Sequence, residues 1–201
     1  MYINYFKRVF DFLSSIAGLL VLSPILLVLI IFNLIIYNGK PFFLQERPGK
    51  DGKLFKIVKL RTMKDFNPKD GIDIHSPKRI TRSGTFIRKN SLDELFQLVN
   101  VLKGDMSLVG PRPLLIEYLP LYNNHQRKRH IVKPGITGLA QVNGRNNLSW
   151  EEKFDFDVYY VENLTFQQDL LIIGKTIIKV FSKEDVNRGE ETIMPLFKGD
   201  S

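Results

Sequence analysis

Phe12 to Phe32 reads FLSSIAGLLVLSPILLVLIIF, and the reading of this run decides the fold. It is uncharged for 21 residues, so a straight helix over it would be about 30 Å long, enough to cross a bilayer. Ser23-Pro24 interrupts its middle. Proline removes one backbone donor and crowds the carbonyl of Leu20, which predicts a kink, and the Ser23 hydroxyl is placed to satisfy the carbonyl so released. The run can therefore bend and return to the face it entered. It is too long for a signal peptide, and no small-residue cleavage site follows it before Tyr37-Asn38-Gly39.

Charge sharpens that choice. Residues 1–37 carry Lys7, Arg8 and Asp11, a net of +1. Residues 38–90 carry 14 Lys and Arg against 5 Asp and Glu, and residues 91–201 come to −2, for +8 in all. Positive charge on both flanks of the apolar run, Lys7 and Arg8 before it and the block from Lys40 after it, favours the cytoplasmic face for both. A re-entrant hairpin satisfies both flanks. A kinked crossing helix exports one of them, and the residues alone leave the two open.

The basic block beside an apolar segment suits anionic headgroups or a polyanionic substrate. Charge alone would also suit nucleic acid, but no such partner is expected, because stacking aromatics are sparse between Lys50 and Lys89 and no reader motif is present. The absence of cysteine excludes disulfides, thiolate metal sites and cysteine nucleophiles. His75, His125 and His130 lack the spacing of a helical metal pair.

Downstream, Pro41–Glu46 and Leu54–Met63 read as a β-hairpin around Arg47-Pro48-Gly49-Lys50-Asp51-Gly52. Residues 64–79 read as a loop. Capping-box patterns open three helices: Ser91 to Lys103, Ser149 to Glu162, and one from Thr165. A further helix is expected over Leu115–His130, disturbed by Pro120, with loops at 133–138 and 143–146. Gly174-Lys175-Thr176 is a helix interior, because Asp169 stands where a P-loop needs glycine. The fold class is α+β and mostly helical, divided into a membrane hairpin (1–37), a catalytic domain (38–182) and a polar tail (183–201).

The chemistry concentrates at Asp93 and Glu94. They follow Arg88 and Lys89 and precede Pro111-Arg112-Pro113, whose prolines restrict the backbone around the arginine. A helix start with arginines nearby suits phosphate, which Arg88 and Arg112 can hold bidentately. Adjacent helical residues point about 100° apart, so the two acids take separate roles rather than share a proton. One can attack phosphorus while the other serves as base or metal ligand. Two carboxylates beside a diphosphate call for a divalent cation, and Mg²⁺ suits oxygen ligands. The plain alternative is a capping box in which Ser91 caps, Glu94 returns a hydrogen bond and Asp93 only favours the helix dipole.

Many ordered pieces carry a resemblance: Lys7-Arg8-Val9-Phe10-Asp11, Ser23-Pro24, Gln45-Glu46-Arg47-Pro48-Gly49, Phe55-Lys56, Lys59-Leu60-Arg61-Thr62-Met63 and Gly84-Thr85-Phe86-Ile87-Arg88. The series continues through Asp93-Glu94, Gly104 to Pro113, Lys133 to Gly138, Gln141 to Arg145, Asp157, Tyr160, Asp169 and Lys175-Thr176. Along residues 3–182 the chain resembles the bacterial sugar transferases, the small monotopic phosphoglycosyl transferases.

That resemblance implies transfer of a phospho-sugar from a UDP-sugar to polyprenyl (undecaprenyl) phosphate with release of UMP, at the cytoplasmic face of the bacterial inner membrane. It implies attack by Asp93 to form a covalent phospho-sugar intermediate, with Glu94 as base or in the metal site, and Mg²⁺ bound near the pair. Lys59, Arg61, Arg88, Arg112 and Arg145, with Pro111 and Pro113, become candidates to bind substrate. Lys7, Arg8, Ser23 and Pro24 become the anchor and break of a re-entrant helix, with amphipathic interfacial helices around the catalytic domain. In size and wording the chain is similar to members that begin bacterial protein N-glycosylation with UDP-diacetylated bacillosamine. Membrane phospholipids and downstream membrane glycosyltransferases are the partners implied. A non-catalytic scaffold that binds anionic lipid and a membrane-bound phosphatase are the competing readings.

Overall fold

The computed structural model describes residues 2–66, 68–71, 76–144, 147–182 and 196–199 of the 201-residue chain. Helix α1 (Lys7–Ile36) occupies the apolar run, preceded by a short π-helical turn. It is long and apolar enough to cross a membrane. The helix continues through Pro24, and the Ser23 hydroxyl donates to the Leu20 carbonyl at 2.7 Å, the acceptor that proline at 24 leaves without its usual partner. Leu20, Val21, Val28 and Ile35 are exposed. So large an uncovered apolar surface is unfavourable in water and suits a lipid environment.

Both ends of α1 are fastened to the rest of the molecule. At the start, Lys7 pairs with Asp169 at 2.6 Å and donates to the Val109 carbonyl at 3.1 Å, while Asp11 accepts from the Leu108 amide. Arg8 donates to the Val101 and Leu102 carbonyls at the end of a later helix, where a cation complements the dipole. At the far end, fully buried Asn33 donates to the carbonyls of Pro41 at 3.2 Å and Arg61 at 2.9 Å. Between them Leu26 packs with Leu60, Ile87 and Phe96.

Asn38 and Gly39 both take left-handed backbone conformations, and the chain turns there into the expected hairpin. Strands β1 (Phe42–Pro48) and β2 (Leu54–Leu60) pair antiparallel, with Gln45 opposite Ile57 and Phe42 opposite Leu60. Ile57 and Leu60 are buried.

Helix α2 (Arg82–Lys89) was not expected from the sequence. Thr81 caps it by accepting from the Gly84 amide. The expected helix from Ser91 to Lys103 is corrected: Ser91 has φ of 54°, a left-handed conformation unlike the extended backbone of an N-cap. Residues 90–96 are turns, and helix α3 begins only at Gln97, running to Lys103 with Gly104 left-handed at its end. The capping box at Ser91 does not form, since Glu94 uses its side chain elsewhere.

The expected helix over Leu115–His130 is likewise corrected to three short pieces. A 3₁₀ segment (Ile116–Leu121) contains Pro120, α4 (Asn124–Arg127) restarts with a capping box of Asn123 and Gln126, and a 3₁₀ turn covers Lys128–His130. Proline breaks the ladder and asparagine restarts it.

A second sheet also replaces expected loop. Strand β3 (Ser107–Val109) pairs in parallel with β4 (Gly135–Thr137). A Cβ on Gly135 would lie 2.1 Å from the Gly110 amide nitrogen, so only glycine permits this approach.

Helix α5 (Leu139–Asn143) precedes α6 (Trp150–Glu162), whose capping box of Ser149 and Glu152 is present as expected. Helix α7 (Phe166–Ser182) begins where Thr165 accepts from the Gln168 amide, and it leaves Leu170, Leu171, Ile177 and Ile178 exposed. Tyr160, Ile172, Val109 and Val142 form one core cluster. In the tail, 183–195 lies outside the described residues. Phe197, by contrast, is buried among Tyr118, Tyr122 and Phe154.

Candidate active site

The turn between α2 and α3 presents Asp93 and Glu94, and β2 holds that turn in place: the Leu60 amide donates to the Asp93 carbonyl at 3.2 Å. This puts Lys59, the preceding residue on β2, beside the acids. Lys59 donates to Glu94 Oε1 at 3.1 Å. Arg112 donates to the same oxygen at 2.6 Å and to Oε2 at 3.3 Å. Both Glu94 oxygens are therefore engaged by cations, in the bidentate geometry that guanidinium and carboxylate share.

The neighbouring acid differs. Asp93 makes no side-chain hydrogen bond among the described residues, and it is half-buried. Burial, reinforced by the charge of Glu94, pushes its carboxyl above the usual range against the pull of Lys59, Arg88 and Arg112. For Glu94, burial raises the pKa, but Arg112 and Lys59 outweigh it and hold the carboxyl well below the usual range. Burial pulls the Lys59 ammonium below its ordinary value despite Glu94. Glu94 raises the pKa of Arg112. One carboxylate is thus fixed and neutralised, and the adjacent one is unpaired in the same positive field.

The support is specific. Fully buried Asn100 accepts from the Val58 amide at 2.9 Å and donates to the Lys56 carbonyl at 2.8 Å, joining α3 to β2 on either side of Ile57. Arg88 donates to the Thr62 hydroxyl at 3.1 Å while its charge reaches Asp93. Pro111 accepts from the Gly135 amide at 3.0 Å, which ties the Pro-Arg-Pro turn to β4.

Of the sequence candidates, Lys59, Arg88, Asp93, Glu94 and Arg112 come together, with Pro111 and Pro113 on either side of the last. Arg61 pairs with Asp65 and lines a recess with Tyr37, Lys40 and Lys64 at the end of α1. Arg145 lies outside the described residues. Lys7, Arg8, Ser23 and Pro24 belong to α1 as described.

Sequence reasoning omitted three residues from the site. Arg47 on β1 feels both burial and the charge of Arg112, which depress its pKa. Arg129 donates to the Arg112 carbonyl at 2.7 Å. Asn100 was unremarkable in sequence because one buried asparagine inside a helical pattern carries no signal of the strand edge it serves.

A lipid-suited helix is fastened to a small α+β body in which two acids and several cations meet at one turn, and this defines the class as a membrane-associated protein with a charged, cation-rich site. The comparisons make that class particular. The profile of the bacterial sugar transferase family matches residues 2–183, and the chain belongs to that family. It is 48% identical over 193 residues to the uncharacterized sugar transferase EpsL of Bacillus subtilis (strain 168), covering 96% of each chain. It is 39% identical to the undecaprenyl-phosphate galactose phosphotransferase of Salmonella typhimurium, over 90% of this chain and 41% of that protein. A Klebsiella pneumoniae protein, UDP-glucose:undecaprenyl-phosphate glucose-1-phosphate transferase, is 40% identical over 88% of this chain and 40% of its own length. The chain thus spans about two-fifths of the length of these two relatives.

Proposed function

We propose that this sugar transferase is a phosphoglycosyl transferase that moves a phospho-sugar from a UDP-sugar to undecaprenyl phosphate and releases UMP. The observation that carries the reading is the contrast within the acidic pair: Glu94 is bound by Lys59 and Arg112, while Asp93 is unpaired beside them. An Asp93 oxygen attacks the β-phosphorus, and the bond from that phosphorus to the bridging oxygen breaks, so UMP leaves with the electron pair. An oxygen of the lipid phosphate then attacks the same phosphorus and frees the Asp93 carboxylate, leaving sugar diphosphate on the lipid. Arg112, Arg88 and Lys59 hold phosphate oxygens as charge shifts between them.

Glu94 orients Arg112 and Lys59; with its carboxyl held well below the usual range by those two cations, it would act as base toward a protonated lipid phosphate only after releasing them. The residues present fit Mg²⁺: Asp93 offers a hard oxygen without a protein partner, and Mg²⁺ is commonly held by one or two carboxylates together with substrate phosphates. When bound, the ion would neutralise diphosphate charge. Glu94 would join it only by releasing Arg112 or Lys59.

We place the protein at the cytoplasmic face of the inner membrane, with residues 1–37 as a monotopic hairpin and 38–182 as the catalytic domain. What supports this is that Lys7 and Asn33, near opposite ends of α1, bond the same body. A helix crossing to the far side would carry one of those ends away from it. The exposed apolar side chains of α2 and α7, Phe86 and Ile178 among them, would lie at the interface beside phospholipids. Downstream membrane glycosyltransferases would take the product. The donor proposed from sequence is UDP-diacetylated bacillosamine. The sugars in the relatives' names make UDP-galactose and UDP-glucose the comparison substrates.

The test incubates the purified full-length protein in lipid discs with each UDP-sugar, Mg²⁺ and undecaprenyl phosphate, and measures UMP. Release that requires the lipid phosphate, together with an adduct mass mapped to Asp93, is the expected result. Sugar-phosphate hydrolysis without acceptor, or turnover in Asp93→Asn at the wild-type rate, would overturn the reading.

A further inference from the structure

We propose that residues 196–199 belong to the machinery of the site: Phe197 completes an aromatic cup whose Tyr122 and Phe154 rings lie against Arg129, and Arg129 holds the backbone of Arg112. Both act as positioning residues, and the inference rests on the assignment of Arg112 to phosphate binding above.

The need arises from the Pro-Arg-Pro turn itself. Pro111 and Pro113 have no N–H, so the turn has few backbone donors with which to fasten itself. Its anchors are carbonyls. Pro111 accepts from Gly135, and Arg112 accepts from Arg129 at 2.7 Å. Arg129 therefore supplies the contact nearest the guanidinium that grips Glu94.

Arg129 is itself buried, with only 3% of its surface exposed. It donates to Asp157 Oδ2 through two nitrogens, at 2.7 and 3.1 Å, and to the Tyr122 hydroxyl at 3.3 Å. Its guanidinium carbon lies 5.8 Å from the Tyr122 ring centre and 5.7 Å from that of Phe154, within cation–π range. Those two rings are the inner wall of the cup.

Phe197 forms the other wall. Its ring centre is 5.0 Å from Phe154, 5.6 Å from Trp150, 5.7 Å from Tyr118 and 5.9 Å from Tyr122. Leu196 and Lys198 on either side are exposed, so among the described residues 196–199 this ring is the buried anchor. Removing it opens space beside Tyr122 and Phe154 and frees those rings to shift. The Arg112 carbonyl would then lose a fixed donor, while Arg112 and Glu94 remain chemically intact.

A double-mutant cycle on the full chain in lipid discs separates positioning from general support. Phe197→Ala is expected to raise the KM for UDP-sugar about threefold to tenfold, the scale of coupling between residues in one network. Phe197→Leu should restore most of it, because an apolar side chain refills the cup. In an Arg112→Ala background, Phe197→Ala should change nothing further beyond about twofold. The same cycle is read in the affinity for inorganic pyrophosphate by calorimetry, which needs no turnover. An inactive wild type would overturn the proposed reaction and leave this inference to be judged by the calorimetric cycle. Equal losses in both backgrounds, or unaltered affinity and KM in Phe197→Ala, would overturn the inference.

Discussion

Arg112 grips both carboxylate oxygens of Glu94, at 2.6 and 3.3 Å, across 18 residues of sequence. This contact closes the site between the turn that carries the acids and the turn that carries the prolines. It also sets what each acid is available to do, because a carboxylate held by two cations is a poor nucleophile and its neighbour is not.

Asp93→Asn keeps the shape of the side chain and removes its charge, so transfer should fall by at least about a thousandfold and the covalent adduct should vanish. Glu94→Gln loosens the placement of Arg112 and Lys59, so it should lower the rate by about a hundredfold, yet leave a trappable adduct on Asp93. Single-turnover UMP release followed by intact mass measurement distinguishes the two. An adduct on Glu94 would reverse the assignment.

Arg112→Lys tests the geometry of the grip. Lysine keeps the charge but cannot span both oxygens of a carboxylate. The KM for UDP-sugar should rise while the protein remains folded. Arg112→Ala should weaken binding further and, by removing the main opposing cation, raise the pKa of Glu94. Carbonyl-labelled NMR or the acid limb of the rate profile reads that shift.

How much of this was legible in sequence depends on the range of the contact. The apolar helix, the Ser23 hydrogen bond to Leu20 beside Pro24, the β-hairpin and the capping box at Ser149 are local, and each formed where its residues indicated. Ser91 misled because its pattern matches a capping box, whereas the fold uses its left-handed backbone to turn the chain before α3 and spends Glu94 on Lys59 and Arg112. The β3 and β4 pair escaped notice because three-residue strands have no readable period. Gly135 marked only a loop in sequence, although in space it lets its backbone meet that of Gly110. Arg129 and Asn100 act on partners 17 and more than 40 residues away, through backbone groups that leave no trace in side-chain pattern.

Asn100→Ala tests the weld between α3 and β2. It would leave the Val58 amide and Lys56 carbonyl without their partner. At about 1–3 kcal/mol for each buried unsatisfied group, the loss of stability should reach about 2–6 kcal/mol. Denaturant unfolding in lipid discs measures it. A change below about 0.5 kcal/mol, the level of an ordinary surface substitution, would show that the strand edge is held by other contacts.

His130 provides a pH dependence whose sign is fixed by its surroundings. Its Nδ1 faces the Gly49 carbonyl at 3.0 Å, and Nε2 is buried without a partner. Burial, with the charge of adjacent Arg129, lowers its pKa to about 4 from an ordinary 6.5, against the opposing hydrogen bond to Gly49. The unfolded chain therefore takes up its proton first as pH falls. The folded state keeps its full advantage above pH 6.5 and loses it between 6.5 and about 4. Over that interval the contribution amounts to about 3 kcal/mol. Unfolding free energy measured from pH 7.5 to 4.5 should decline with a slope approaching one proton, and His130→Gln should remove that part of the decline. A slope unaltered by the substitution would place the acid sensitivity elsewhere and show that this imidazole is protonated at no cost in the folded protein.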